Sequence, residues 1–344
     1  MARGAVPGGA VSKAGRPRPD PCATSGWTFV EMAFVLALIG VVSLLIVEAV
    51  ATMNRANSYC RGQVRLAEAA DSVARAIVDD VAASIRVFSN DAPSTAYWEA
   101  LELGTATPLA GMRRPQLSNL GCIDPDGPGA ELTGNHLLLA QRCQPMTLCA
   151  PATATAPELT TRIDLFRFVT YYPTEQAGRH DHSLDLARIC SMPLAAVTDL
   201  TAIADLGQRA RICVALREFG VRHAWNPTQE RSAGLYKITP EGGLVLLGPG
   251  IKVERDVGQS REALLGPRRL GLARNGSVPG TPVPLYARAA TGADGSAFPG
   301  GFEVRVDGPT SGRMVMLRLV ITARSSADQL NWNEIRRIVA CHDG

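Results

Sequence analysis

The chain has 344 residues, 46% of them hydrophobic and 19% charged, which excludes a wholly disordered chain and leaves apolar material for a sizeable core. Its formal charge of +3 resides in residues 1–26, where Arg3, Lys13, Arg16 and Arg18 stand against Asp20. The remaining 31 basic and 31 acidic residues cancel, so the basic balance does not argue for a nucleic-acid surface. With 33 Gly and 23 Pro, long irregular connections are expected.

After the basic segment comes an apolar run. Met32 to Val47 carries no charge, and the 24 residues from Trp27 to Val50 hold only Glu31 and Glu48. A bilayer-spanning helix needs roughly 20 apolar residues. The basic flank predicts residues 1–26 on the cytoplasmic side and the C-terminal bulk outside. A secretory signal peptide cut near Ala49–Val50–Ala51 and an uncleaved signal anchor both fit the run alone.

The order Gly26, Trp27, Thr28, Phe29, Val30, Glu31 and a long apolar stretch resembles the prepilin cleavage and methylation motif of type IV pilin-like proteins. The resemblance implies cleavage between Gly26 and Trp27 by a prepilin peptidase, and N-methylation of Trp27. It implies an assembly role for Glu31, the fifth mature residue, whose carboxylate would meet the N-terminal amine of a neighbouring subunit. A carboxylate near the lipid core costs about 2.5–3.5 kcal/mol on insertion scales, so a partner is expected for it. Gly40 falls where pilins carry a helix-weakening glycine. Trp27 replaces the usual Phe, and Glu48 stands where many members have proline.

Leu66, Ala70, Val73, Ile77, Val81, Ile85 and Phe88 then recur at spacings of three and four, one face of an amphipathic helix. Arg65, Glu68, Asp71, Arg75 and Asp79 lie on the other face. A helix from Trp27 to Phe88, softened at Gly62, would run roughly 90 Å. Residues 89–133 look irregular. Strands are expected near Leu137–Leu139, over Ile163–Tyr172, along Leu184, Leu186 and Cys190, and along Phe219, Val221, His223 and Trp225. Between 227 and 300, LYKIT, LVLLG and PLYAR are short strand candidates in Gly/Pro-rich sequence. Phe302, Val304 and Val306 alternate with charged residues, and Arg313–Thr322 returns as the second arm of an antiparallel hairpin.

With no βαβ alternation in view, the expected class is α+β: a long N-terminal transmembrane and stem helix, then an antiparallel β-sheet head with long irregular loops. The expected divisions are 1–26 (leader), 27–50 (transmembrane or filament-core helix), 51–88 (stem) and 89–344 (head). The order of strands loosely resembles large W-type minor pilins and J-type minor pseudopilins; residues 227–300 and the tail NWNEIRRIVACHDG have no counterpart there.

Eight cysteines, seven of them beyond residue 26, suit an oxidising compartment. Cys143 with Cys149 and Cys190 with Cys213 are the disulfide candidates; reduced core cysteines are the alternative. The odd count leaves one thiol over, and Cys60 is placed either as that thiol or as a tether for Cys341. His180, Asp181 and His182 read as a solvated turn. Asp124, Asp126 and Glu131 only loosely match a calcium loop, with Pro125 and Pro128 breaking its pattern. Arg261, Arg268, Arg269 and Arg274 read as a solvated basic loop. No P-loop, G-x-S-x-G, H-E-x-x-H or Rossmann fingerprint occurs. The expectation is therefore a non-enzymatic subunit without metal or cofactor. It would be held in the inner membrane with its head in the periplasm, then in a filament at the cell surface. Its expected partners are other pilin or pseudopilin subunits, the prepilin peptidase, the inner-membrane assembly platform and membrane lipid. A single-pass anchored binding module or adhesin that does not polymerise is the second expectation.

Overall fold

The computed structural model describes residues 27–90, 112, 114–118, 133–174, 183–228, 234–247, 260–263, 270–273, 301–308, 312–324 and 330–341. The chain divides into two compact units, residues 1–57 and 58–344. A single helix, α1 (Phe29–Ala82, 54 residues), contributes to both. It continues unbroken through Gly40, Glu48 and Gly62.

In the first unit the apolar side chains of α1 have no protein around them. Phe29 is 88% exposed and Leu44 69%. This stretch is long and apolar enough to cross a membrane.

In the second unit α1 becomes amphipathic as its spacing predicts: Leu66, Ala70, Val73, Ala74, Ile77 and Val81 are buried. Each fully buried Leu, Ile or Val contributes roughly 1.5–3 kcal/mol. The helix ends at Ala82, six residues short of the expected Phe88. Ser84 Oγ donates to the Val81 carbonyl (2.6 Å), and β1 (Ser84–Phe88) begins there. Three-and-four spacing carries on into Ile85 and Phe88 only because a bulge between Ser84 and Arg86 shifts the register of the strand.

The sheet has fourteen strands. In chain order these include β2 (Leu117–Ser118), β3 (Leu137–Arg142), β6 (Leu165–Thr174), β7 (Ser183–Cys190) and β8 (Leu194–Ala196). There follow β9 (His223–Trp225), β10 (Leu235–Ile238), β11 (Leu244–Leu246), β12 (Ser260–Ala263) and β13 (Leu270–Ala273). Last come β14 (Phe302–Asp307), β15 (Arg313–Arg324) and β16 (Leu330–Cys341). A separate hairpin joins β4 (Met146–Ala150) to β5 (Leu159–Ile163). Pairing is antiparallel except for β8 with β9 and β14 with β2. The hairpin expected after residue 302 is present, with Phe302 opposite Leu319.

Two helices depart from the sequence reading. The helices α2 (Val197–Ala202) and α3 (Leu206–Glu218) connect parallel β8 and β9, a crossover where no βαβ unit was expected. The strand expected from Phe219 shrinks to β9. Phe219 caps α3 and is 63% exposed, because the chain is still leaving the helix there. PLYAR lies outside the described residues.

Strand alternation sorts the side chains into cores. On one face Leu137, Leu139, Val169 and Tyr171 pack with α1. On the other, Phe88, Phe166, Phe168 and Trp225 form an aromatic core with ring centroids 5.2–6.3 Å apart. A third core holds Leu165, Ala195 and Ala224 under Ile212, Cys213 and Leu216 of α3. Leu165 has the parity of Val169 and Tyr171, so α1 and α3 cover successive stretches of one sheet face.

The tail without a family counterpart is β16, paired with β15 over twelve consecutive residues. It follows α1 closely. A Cβ on Gly62 would lie 3.5 Å from Asn331 Nδ2, Arg337 donates to Asp71 Oδ1 at 2.8 Å, and Cys341 Sγ lies 3.1 Å from Ser84 Oγ. Residues 62–84 of a helix and 331–341 of a strand both span about 33 Å, so the two elements stay in step.

Candidate functional site

The helix start carries the first candidate. Thr28 immediately precedes α1, and Glu31 is its third residue. Glu31 Oε2 accepts the Thr28 backbone N–H at 2.9 Å and the Thr28 hydroxyl at 3.0 Å. Thr28 Oγ1 in turn accepts the Glu31 N–H at 3.3 Å. This is a capping box, T-x-x-E, with the acid also favoured by the helix dipole. The carboxylate therefore has partners within its own chain. Trp27 is 68% exposed beside it, and Gly26 lies outside the described residues.

The second candidate is a polar seam between the α1 and α3 stretches of the sheet face. Asp80 of α1 accepts from Arg188 Nε (2.8 Å) and Nη2 (3.2 Å), from Gln141 Nε2 (3.0 Å) and from the Tyr171 hydroxyl. Gln141 also donates to the Asp80 carbonyl at 2.8 Å and accepts Arg167 Nε at 3.0 Å. Burial pushes the Asp80 carboxyl up, but these hydrogen bonds outweigh it and hold the group below the usual range. Burial and the neighbouring Asp80 raise Tyr171, and the Asp80 hydrogen bond raises Arg188. The seam is a clamp between stem and sheet.

The third is an open cleft of about 460 Å³ between the β4–β5 hairpin and α2–α3. Asp199, Asp205, Thr155, Thr161 and Gln208 line it, with Leu159 and Ile203 among its apolar walls. Asp205 is the N-cap of α3, accepting Gln208 N–H at 2.8 Å and Thr155 Oγ1 at 2.5 Å. Asp199 Oδ2 accepts the Asp164 N–H at 2.7 Å. The sequence reading passed over this region, although Asp205-x-x-Gln208 ahead of Ile212 and Leu216 is a helix-start signal.

The six described cysteines, Cys60, Cys143, Cys149, Cys190, Cys213 and Cys341, are free thiols, so neither expected disulfide is formed. Met146, Leu148 and Ala150 turn inward to the third core, which Cys143 also touches. Cys149 points the other way, exposed, 3.4 Å from Thr160 Oγ1. Cys190 belongs to the α1 core and Cys213 to the α3 core. Cys60 cannot tether Cys341 within one chain: Cys341 sits at Ser84, about 36 Å along the helix.

Asp124, Asp126, Glu131, His180, Asp181, His182, Arg268, Arg269 and Arg274 lie outside the described residues; Arg261 falls in β12. Among the described residues no three His, Cys, Asp or Glu side chains gather as metal ligands. Comparison with protein-family models, curated proteins and solved structures finds no match.

Proposed function

We propose that this chain is a minor pilin or pseudopilin: a subunit cleaved after Gly26, held in the inner membrane by the first half of α1, and incorporated at or near the tip of a type IV pilus-like filament. The observation that carries the reading is the division of α1. Its first half begins two residues beyond the Gly26–Trp27 motif and exposes apolar side chains all round; its second half is fastened to a β-sheet head. An uncovered apolar helix needs lipid or other helices around it. A head of this size packs poorly in a dense repeating array, which favours a tip or initiating position over a repeated one.

Intact mass and N-terminal sequence of the membrane-extracted protein, with and without a co-expressed prepilin peptidase, test it. A chain starting at Trp27 and about one CH₂ heavier is expected. A chain still carrying residues 1–26 beside an active peptidase would sink the reading.

The capping box favours a second reading, a single-pass anchored binding module that does not polymerise, because Glu31 needs no neighbouring subunit to satisfy it. Glu31→Gln separates the two: glutamine preserves the cap but not the charge. A filament subunit so altered is cleaved normally yet missing from sheared filaments. An anchored module keeps its membrane level and its function.

A further inference from the structure

We infer that the cleft between the β4–β5 hairpin and α2–α3 binds a primary alkylammonium group carried on a short aliphatic stem. Its volume, about 460 Å³, suits a group of side-chain size. The polar atoms it offers are mostly acceptors. Two carboxylates, Asp199 and Asp205, line it, and no Lys, Arg or His does.

Gln208 supplies a separate indication. It is 4% exposed, and its Nε2 donates to the Pro157 carbonyl, which fixes the amide's orientation. Among the described residues nothing donates to its Oε1, which is left on the cleft side. A buried amide oxygen without a donor is costly, and an occupant with N–H groups would satisfy it.

An ammonium brings three donors and no acceptor, matching two carboxylates and an amide oxygen. Leu159 and Ile203 can cover its methylene stem. A sugar would present acceptors as well as donors and would find no aromatic face here. A divalent metal needs a close set of oxygens at about 2.3–2.6 Å, and the described residues gather none. The inference stands on the cleft alone and does not depend on filament assembly.

The test uses the full chain in neutral detergent and saturation-transfer NMR. The probes are n-butylammonium and N-acetyl-lysine methylamide, with N-acetyl-norleucine methylamide and glucose as controls. Asp199→Asn and Asp205→Asn remove charge while keeping an oxygen for the Asp164 and Gln208 N–H groups, and Asn is as good an N-cap as Asp. Circular dichroism should confirm that the double variant is folded. Both amines are expected to bind and the neutral isostere to fail, with the double variant weaker by at least about tenfold. Binding of n-butylammonium alone sustains the chemistry and makes the ligand a free amine; binding of the blocked lysine as well makes it a partner's side chain. No binding by either amine, equal binding of norleucine, binding of glucose in their place, or undiminished binding to the double variant overturns the inference.

Discussion

Asp80 Oδ2 accepts Arg188 Nε at 2.8 Å although the two residues are 108 apart in sequence, one on the last turns of α1 and the other on β7. Both are largely buried, with side chains 13% and 16% exposed. Burying two charges is costly, and their attraction offsets this only when the remaining hydrogen-bonding capacity is filled. Here Tyr171 and Gln141 fill it on the Asp80 side. Four elements, α1, β3, β6 and β7, meet at one carboxylate, so the seam fixes where along the sheet the stem lies.

Asp80→Ala is accordingly expected to destabilise the second unit by about 3 kcal/mol, since it strands Arg188 in a buried site. The pH dependence has a definite sign. The folded-state carboxyl is held below its ordinary value, so its contribution is fully present above about pH 4 and is lost as the pH falls through the lower folded-state value. Chemical denaturation between pH 3 and 7 should show a steeper acid loss in the native sequence than in Asp80→Asn.

His136 predicts a second, milder acid sensitivity. Burial, with Arg114 nearby, lowers it from the ordinary 6.5 to about 3. It lies 2.8 Å from Thr170 Oγ1. The unfolded chain therefore takes up a proton below pH 6.5 that the fold refuses until about pH 3. Stability is full above 6.5 and declines as the pH falls between those values. Between pH 7 and pH 5 the loss should be on the order of 2 kcal/mol. In His136→Gln denaturation midpoints should be nearly level over that interval; an equal decline would remove His136 as the cause.

What could be read in the chain depended on how local the signal was. Leu66 to Val81 carry their own period, and Phe302–Val306 their own alternation, so both elements were legible. The end of α1 was not, because a bulge imitates helical spacing through Ile85 and Phe88. The helix α3 was obscured by an alternation of apolar residues running from its last turn into β9. The seam escaped altogether: Asp80, Gln141, Tyr171 and Arg188 are unremarkable until distant strands bring them together. Glu31 was legible as an unusual acid, but its nearest partner, Thr28, was read only as part of a motif.

Gly242 has a positive φ of +78°, and a Cβ there would lie 2.6 Å from Ala210 Cα and 2.7 Å from Ala210 N. The turn between β10 and β11 thus touches the backbone of α3. Gly242→Ala incurs both the left-handed penalty of roughly 1 kcal/mol and a clash with main chain that cannot rotate away. A loss of about 2 kcal/mol or more is expected, with hydrogen exchange speeding first in α3. Gly243→Ala, where the nearest atom is the Thr239 hydroxyl at 3.0 Å, should cost less, because a side chain can move aside.

Cysteine reactivity distinguishes the free-thiol arrangement from the disulfides first expected. Cys60 and Cys149 are exposed, whereas Cys190, Cys213 and Cys341 are buried. Burial also raises the Cys143 and Cys213 thiols, which lowers their thiolate fraction. Under native, non-reducing conditions a maleimide should modify Cys60 and Cys149 quickly and Cys143 slowly. Cys190, Cys213 and Cys341 should react only after denaturation, without added reductant. A Cys149 that stays unmodified until reductant is added would mean that it is bridged. A peptide map would then have to show whether its partner is Cys143, in which case the β4–β5 hairpin must turn Cys149 inward.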